Sequence, residues 1–206
     1  MDDPRGAAVT GSRTFRFLPR ASTRVFRQAL IEIIRRLDQA RERKLVQSYA
    51  LVGGFAVAAW GVARATRDID LAVALGAADP GLLAAHLKAS YHPGDPDDPL
   101  RGVFSMELPA GEQAVPVQLI VLQPRWADVV FRRVETLSVL DCSVPVVNWQ
   151  ALVLLKLYAG GPVDLQDARD IVVVRQPSPA ERKNLSDQAD ALGLAEECKA
   201  LLGSLS

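Results

Sequence analysis

Two aspartates flank a single isoleucine at Asp68-Ile69-Asp70, thirteen residues after the pair Gly53-Gly54. On an extended strand alternate residues share a face, so the two carboxylates would point the same way about 6–7 Å apart. Like charges at that spacing repel unless a cation sits between them. Oxygen-only ligands suit Mg²⁺, which commonly takes one or two carboxylates and completes its shell with water and substrate phosphates. Glycine lets a backbone approach an anion with no side chain in the way, and a helix that follows would offer free N–H groups to phosphate. The expected ligand is therefore a nucleoside triphosphate, with its phosphates at the glycine turn and Mg²⁺ held by Asp68 and Asp70. Each part alone has a plainer explanation: a Gly-Gly turn is often only a turn, and strand acids often face water. The order and spacing make the combination more specific.

Several elements must position these groups. "SYALVGG" reads as a short buried strand, "GFAVAAWGV" as a helix packed on it, and "DIDLAVAL" as a second strand rich in branched residues. Upstream, Ser22 or Thr23 is placed to cap a helix running to about Arg43, with Phe26, Leu30, Ile33, Ile34 and Leu37 as its apolar stripe. "ADPGLLAAHLKAS" gives another helix, and "YHPGDPDDPLRG" a proline-broken loop whose aspartates suit turn chemistry better than metal binding. "VFSMEL" and "AVPVQLIVL", joined by "PAGEQ", carry a hairpin signal. A short helix at "RWADVVFRR" and strands near "VETLSVL" and "VPVV" follow. Asn148 then caps the apolar helix "WQALVLLKLYA", which stops at Gly160-Gly161-Pro162. Two more helices are expected, over roughly 165–175 and 179–203, with a break near Gly193. The reading is a mixed α/β half followed by a helical region. Its boundaries are an arm over 1–20, a core over 21–147 that includes the first helix, and C-terminal helices over 148–206.

Composition narrows the classes. Of the 206 residues 49% are hydrophobic, enough for a core. No run approaches a membrane span, and "MDDPRGAAVTGS" is charged, so a soluble cytoplasmic protein with no membrane partner is expected. Cys142 and Cys198 are isolated and His86 and His92 lack a second ligand at helical spacing, which argues against a zinc site or a catalytic histidine. The net charge is zero, yet residues 1–44 hold eleven Arg/Lys against five Asp/Glu. That surplus fits either a face that meets nucleic acid or a solvated helix surface.

Apolar strand, Gly-Gly, helix and hydrophobic-flanked Asp-Ile-Asp together resemble the DNA polymerase β-like nucleotidyltransferase superfamily. The segments "ARATRDIDLAV" and "LLKLYAGGPVDLQDARDI" look like bacterial AbiEii-type toxin nucleotidyltransferases and their relatives, and the likeness spans most of residues 45–175. It implies a nucleotidyltransferase-fold mixed sheet flanked by helices. It also implies triphosphate contacts from Gly53 and Gly54, Mg²⁺ ligation and catalysis by Asp68 and Asp70, and a phosphate pocket lined by Arg64 and Thr66. Arg67 fits that pocket or the surface equally. Lys156 interrupts an apolar helix face, where an ammonium must snorkel or find an anion; the resemblance implies that it serves the nucleotide. Asp164 reads as a helix cap, while Asp167 and Asp170 resemble acids that follow the family's lysine helix, Asp167 being the better candidate for a site role.

One departure matters. The superfamily's third carboxylate is expected in "VPVQLIV", where this chain has Gln118. An amide brings no charge and takes no proton, and general-base help is typically worth roughly 10²–10⁴-fold. Glu107 in "SMEL" could substitute from the neighbouring strand, or could be an edge acid facing solvent; Asp167 is the other candidate. The functional expectation is Mg²⁺-dependent transfer of a nucleoside monophosphate to a hydroxyl of RNA, such as tRNA, or of protein, in a toxin–antitoxin or abortive-infection setting. The alternative is a catalytically impaired module that binds nucleotide or a cognate toxin or antitoxin partner.

Overall fold

A computed structural model describes residues 20–96 and 98–205. The arm expected over 1–20 lies, apart from Arg20, outside the described residues. Helix α1 (Arg20–Glu42) forms because Leu30, Ile33, Leu37 and Ala40 recur every three or four residues and are fully buried. Ile31, Arg35 and Gln39 on the other side are exposed. Burying each large apolar side chain is worth roughly 1.5–3 kcal/mol, so packing of this stripe holds the helix more than propensity does. The helix begins ahead of Ser22 and Thr23, so neither precedes it as a cap, contrary to expectation.

Strand β1 (Ser48–Leu51), helix α2 (Gly53–Ala59), strand β2 (Ile69–Ala74) and helix α3 (Pro80–Leu87) follow. Asp79 caps α3, accepting from Gly81 N and Leu82 N, with Pro80 at its first position. Next come β3 (Ser90–Pro93), the hairpin β4 (Leu100–Ala110) and β5 (Gln113–Leu122), helix α4 (Pro124–Val130), and strands β6 (Val134–Val139) and β7 (Cys142–Val147). The chain closes with α5 (Trp149–Ala159), α6 (Pro162–Arg175), α7 (Pro179–Leu192) and α8 (Ala195–Gly203). Tyr91–Pro93, expected within a loop, instead pair with β4 as the edge strand β3. Pro93 ends that strand, where a missing N–H costs the sheet little.

Among the described residues the strands form one seven-stranded mixed sheet in the order β3-β4-β5-β2-β1-β7-β6. β1 runs antiparallel to β2, while β2 runs parallel to β5. β2 is therefore central, and Ile69, Leu71 and Val73 on one of its faces are fully buried. One hydrophobic cluster runs from Ala29 of α1 through the sheet to Leu201 of α8. Asn148 caps α5 by accepting from Ala151 N at 2.8 Å, and Gly160 ends it in the left-handed conformation. The expected mixed α/β sheet, flanked by helices and followed by C-terminal helices, is the architecture observed. No helix among the described residues is long and apolar enough to cross a membrane.

Candidate functional site

The glycine pair, the acids and the α5 lysine meet in one cavity of about 370 Å³, at the end of β2 nearest α2. Gly53, Gly54, Arg64, Asp68, Asp70, Gln118, Lys156 and Asp164 all line it. Such a volume sits at the low end of small-molecule sites, roughly 300–1,000 Å³.

The glycines make room for side chains. Gly53 has φ +62°, and a Cβ there would lie 2.0 Å from Asp70 Oδ2. A Cβ on Gly54 would lie 2.6 Å from Thr66 Cβ. Thr66 Oγ1 in turn donates to Asp68 Oδ1 at 2.7 Å. One glycine thus admits Asp70, and the other admits the threonine that orients Asp68. Val52 N donates to Asp70 O at 2.9 Å, tying the turn to the strand that carries the acid. Thr66 itself is not among the cavity-lining residues; it touches the site through Asp68. α2 has only seven residues, so any phosphate role falls to the backbone of the turn more than to a helix dipole.

Asp68 lies one residue ahead of β2 rather than within it, yet both acids face the cavity. Burial, and then the nearby charge of Asp68, push the Asp70 carboxyl up to about 6, against the pull of Lys156 and Arg64. Parallel pairing of β2 with β5 sets Gln118 directly alongside Asp70. An amide, and not a carboxylate, therefore lies beside Asp70.

Beside the acids runs a partly buried ion-pair chain. Arg64 Nη1 reaches Asp167 Oδ2 at 2.6 Å, Lys156 Nζ reaches the same oxygen at 2.9 Å, and Lys156 also donates to Asp164 Oδ1 at 2.6 Å. Lys156 is 8% exposed and Asp167 5%, so each needs the partners it has. Asp167 does not line the cavity; it holds the two cations from behind. Asp164 is not the cap expected of it. Gly161 precedes α6, and Asp164 sits in the first turn, where it faces the cavity and shares Lys156. Glu107 stands opposite Pro116, exposed and outside the cavity, so it does not supply the missing acid. Arg67 is exposed and does not line the cavity, and Asp170 accepts from Gln166 Nε2 at 2.7 Å instead.

The sequence reading missed Asp164 and the apolar half of the cavity. That half comprises Leu100, Ile120, Leu122, Leu155, Tyr158 and Ala159. A usable signal was present: Leu152, Leu155, Lys156 and Ala159 recur at helical spacing, one face of α5 with the lysine in its middle.

The residues present fit Mg²⁺. Asp68 and Asp70 on one cavity wall are the two-carboxylate arrangement that Mg²⁺ accepts when phosphate and water complete its shell; among the described residues no group of three or more His, Cys, Asp or Glu could hold a metal. A cation between Asp68 and Asp70 would offset the burial and the like charge of Asp68 that raise Asp70.

No family model and no curated protein matches this sequence. Among solved structures, an antigenic nucleotidyltransferase-like protein from Paracoccidioides brasiliensis is 18% identical over 74% of this chain and 84% of its own, with a TM-score of 0.42. The antibiotic-resistance factor ANT(2'')-Ia is 16% identical over 86% of this chain and 91% of its own, with a TM-score of 0.41. At these identities and scores neither likeness assigns an activity or a substrate.

Proposed function

We propose that this chain is a Mg²⁺-dependent nucleotidyltransferase that moves a nucleoside monophosphate from a nucleoside triphosphate to an acceptor hydroxyl. The observation that carries the reading is the convergence of Asp68 and Asp70 on one cavity, with the Gly53 turn pressed against Asp70. Asp68 and Asp70 would hold the ion, which when bound neutralises phosphate oxygens and positions them for in-line displacement. Thr66 fixes the Asp68 carboxylate, Arg64 and Lys156 add positive charge on the cavity wall, and Asp167 keeps both cations in place.

The acceptor class we propose is an RNA or protein hydroxyl, and the setting a toxin–antitoxin or abortive-infection pair; the AbiEii-like segments support both. Arg35 and Arg36 pair with Glu32, and Arg41 with Asp38, but α1 holds six arginines against three acids, which supports RNA weakly. A second reading, nucleotide or partner binding without turnover, is favoured by one observation: the residue alongside Asp70 is Gln118, which cannot accept a proton.

Incubation with Mg²⁺, each labelled nucleoside triphosphate and either bulk tRNA or lysate separates the two. Transfer that disappears in Asp68→Asn supports the enzyme; nucleotide binding with no transfer under any condition supports the binding module. Gln118→Asp should tighten Mg²⁺ at least several-fold or speed transfer. A variant that folds and binds metal as the parent does would remove Gln118 from the ion's surroundings.

A further inference from the structure

The cavity is polar at one end only. Along β5, Gln118, Ile120 and Leu122 share a face, and Asp70 and Ala72 do so on β2. At about 6–7 Å for every second residue, the lining passes from amide to pure hydrocarbon over ~13 Å. Leu100, Leu155 and Ala159 close that apolar end. Tyr158, the one polar side chain among the described residues lining this end, donates its hydroxyl proton to Asp98 Oδ1 at 2.8 Å, and the same oxygen accepts from Leu100 N at 2.7 Å. Among the described residues that line this end, none offers a free side-chain hydrogen-bond donor.

We propose that the apolar end is the nucleobase subsite, and that it takes the base by shape and apolar contact, so nucleotides with different bases bind with similar affinity. The inference rests on the triphosphate lying at the acid end. A nucleotide with its phosphates beside Gly53 and Asp70 is long enough to carry its base onto Ile120, Leu122 and Tyr158. A site built to hydrogen-bond a ligand rejects an analogue lacking the matching group by 10⁴–10⁵-fold, whereas a hydrocarbon surface separates similar shapes by only about 10–200-fold. The edge of the base must then face the cavity mouth, since turning it into the wall would leave its polar groups unpaired.

Binding of ATP, GTP, CTP and UTP, and of inorganic tripolyphosphate, to the full chain with Mg²⁺ tests this, alongside Ala159→Trp. Ala159 is exposed on the cavity wall, so the larger ring fills the apolar end without entering the core. The expected result is that the four nucleotides bind within about 200-fold of one another. Ala159→Trp should weaken all four by tenfold or more and leave tripolyphosphate unchanged. A preference above about 200-fold for one base, or nucleotide affinity indifferent to Ala159→Trp, overturns the subsite while tripolyphosphate binding still upholds the acid-end reading. Failure of the parent protein to bind either tripolyphosphate or nucleotide overturns both.

Discussion

Glu32 on α1 and Asp70 on β2 are both carboxylates with cations nearby, and their surroundings push them in opposite directions. Hydrogen bonds from Arg35 and Arg36 draw Glu32 down to about 2 at a surface where its side chain is 32% exposed. Burial and the charge of Asp68 drive Asp70 up to about 6, against the pull of Lys156 and Arg64, which both also bind Asp167. On α1 the acids Glu32 and Asp38 are paired where they stand, and the helix keeps an excess of arginine over acid. Asp70 stays raised although Arg64 and Lys156 share the cavity wall with it, an arrangement that a divalent ion and a polyphosphate would complete.

The largest effect expected from breaking this contrast is at Asp167. Removing one member of a buried ion pair strands its partners, at a cost of roughly 3–5 kcal/mol. Asp167→Ala should fall near 3 kcal/mol in denaturant unfolding, since Lys156 retains Asp164. A loss below about 1 kcal/mol, in the range of exposed pairs, would mean that the network is no more than a surface feature.

Asp70 comes next, and its sign is opposite. Its raised value means the folded, metal-free protein binds a proton more tightly than the unfolded chain, so it contributes stability below about 3.8 that is lost as pH rises through about 6. Asp70→Asn should therefore stabilise the metal-free protein by on the order of 2 kcal/mol at pH 7, and the advantage should vanish near pH 4. Thermal unfolding in a chelator reads this directly; no gain at neutral pH would show that Asp70 is not strained by its surroundings.

The smallest effect belongs to Glu32. Its lowered value contributes stability that is present above about 4.5 and lost as pH falls towards 2, but exposure and screening hold it to 1 kcal/mol or less. Glu32→Gln should shift stability by no more than that, and less in high salt. A larger, salt-insensitive loss would make α1 more than a solvated face.

The order strand, glycine turn, helix, strand is legible in the sequence because branched residues and glycines mark its boundaries locally. The position of Gln118 is legible as well, since its apolar neighbours on both sides fix which residues of β5 can lie beside β2. The partners of Lys156 are not. They depend on α6 folding back along α5 after Gly160-Gly161, which brings residues eight and eleven positions later onto one ammonium. Asp164 follows a proline at a helix start and so mimics a cap, a local signal that the tertiary ion pair overrides. Tyr91–Pro93 looked like loop because proline and aspartate dominate their surroundings, while their pairing with β4 is set by a strand ten residues away. Nor does any local pattern reveal that Gly53 is glycine because Asp70 lies over it.

The central claim is that Asp68 and Asp70 jointly hold a divalent ion that a nucleoside triphosphate shares. Mn²⁺ titration followed by electron paramagnetic resonance, with and without ATP, tests it most directly on the parent, Asp68→Asn and Asp70→Asn. One ion should bind to the parent, more tightly with ATP, and at least tenfold more weakly to either variant. Equal Mn²⁺ affinity in all three proteins would contradict it.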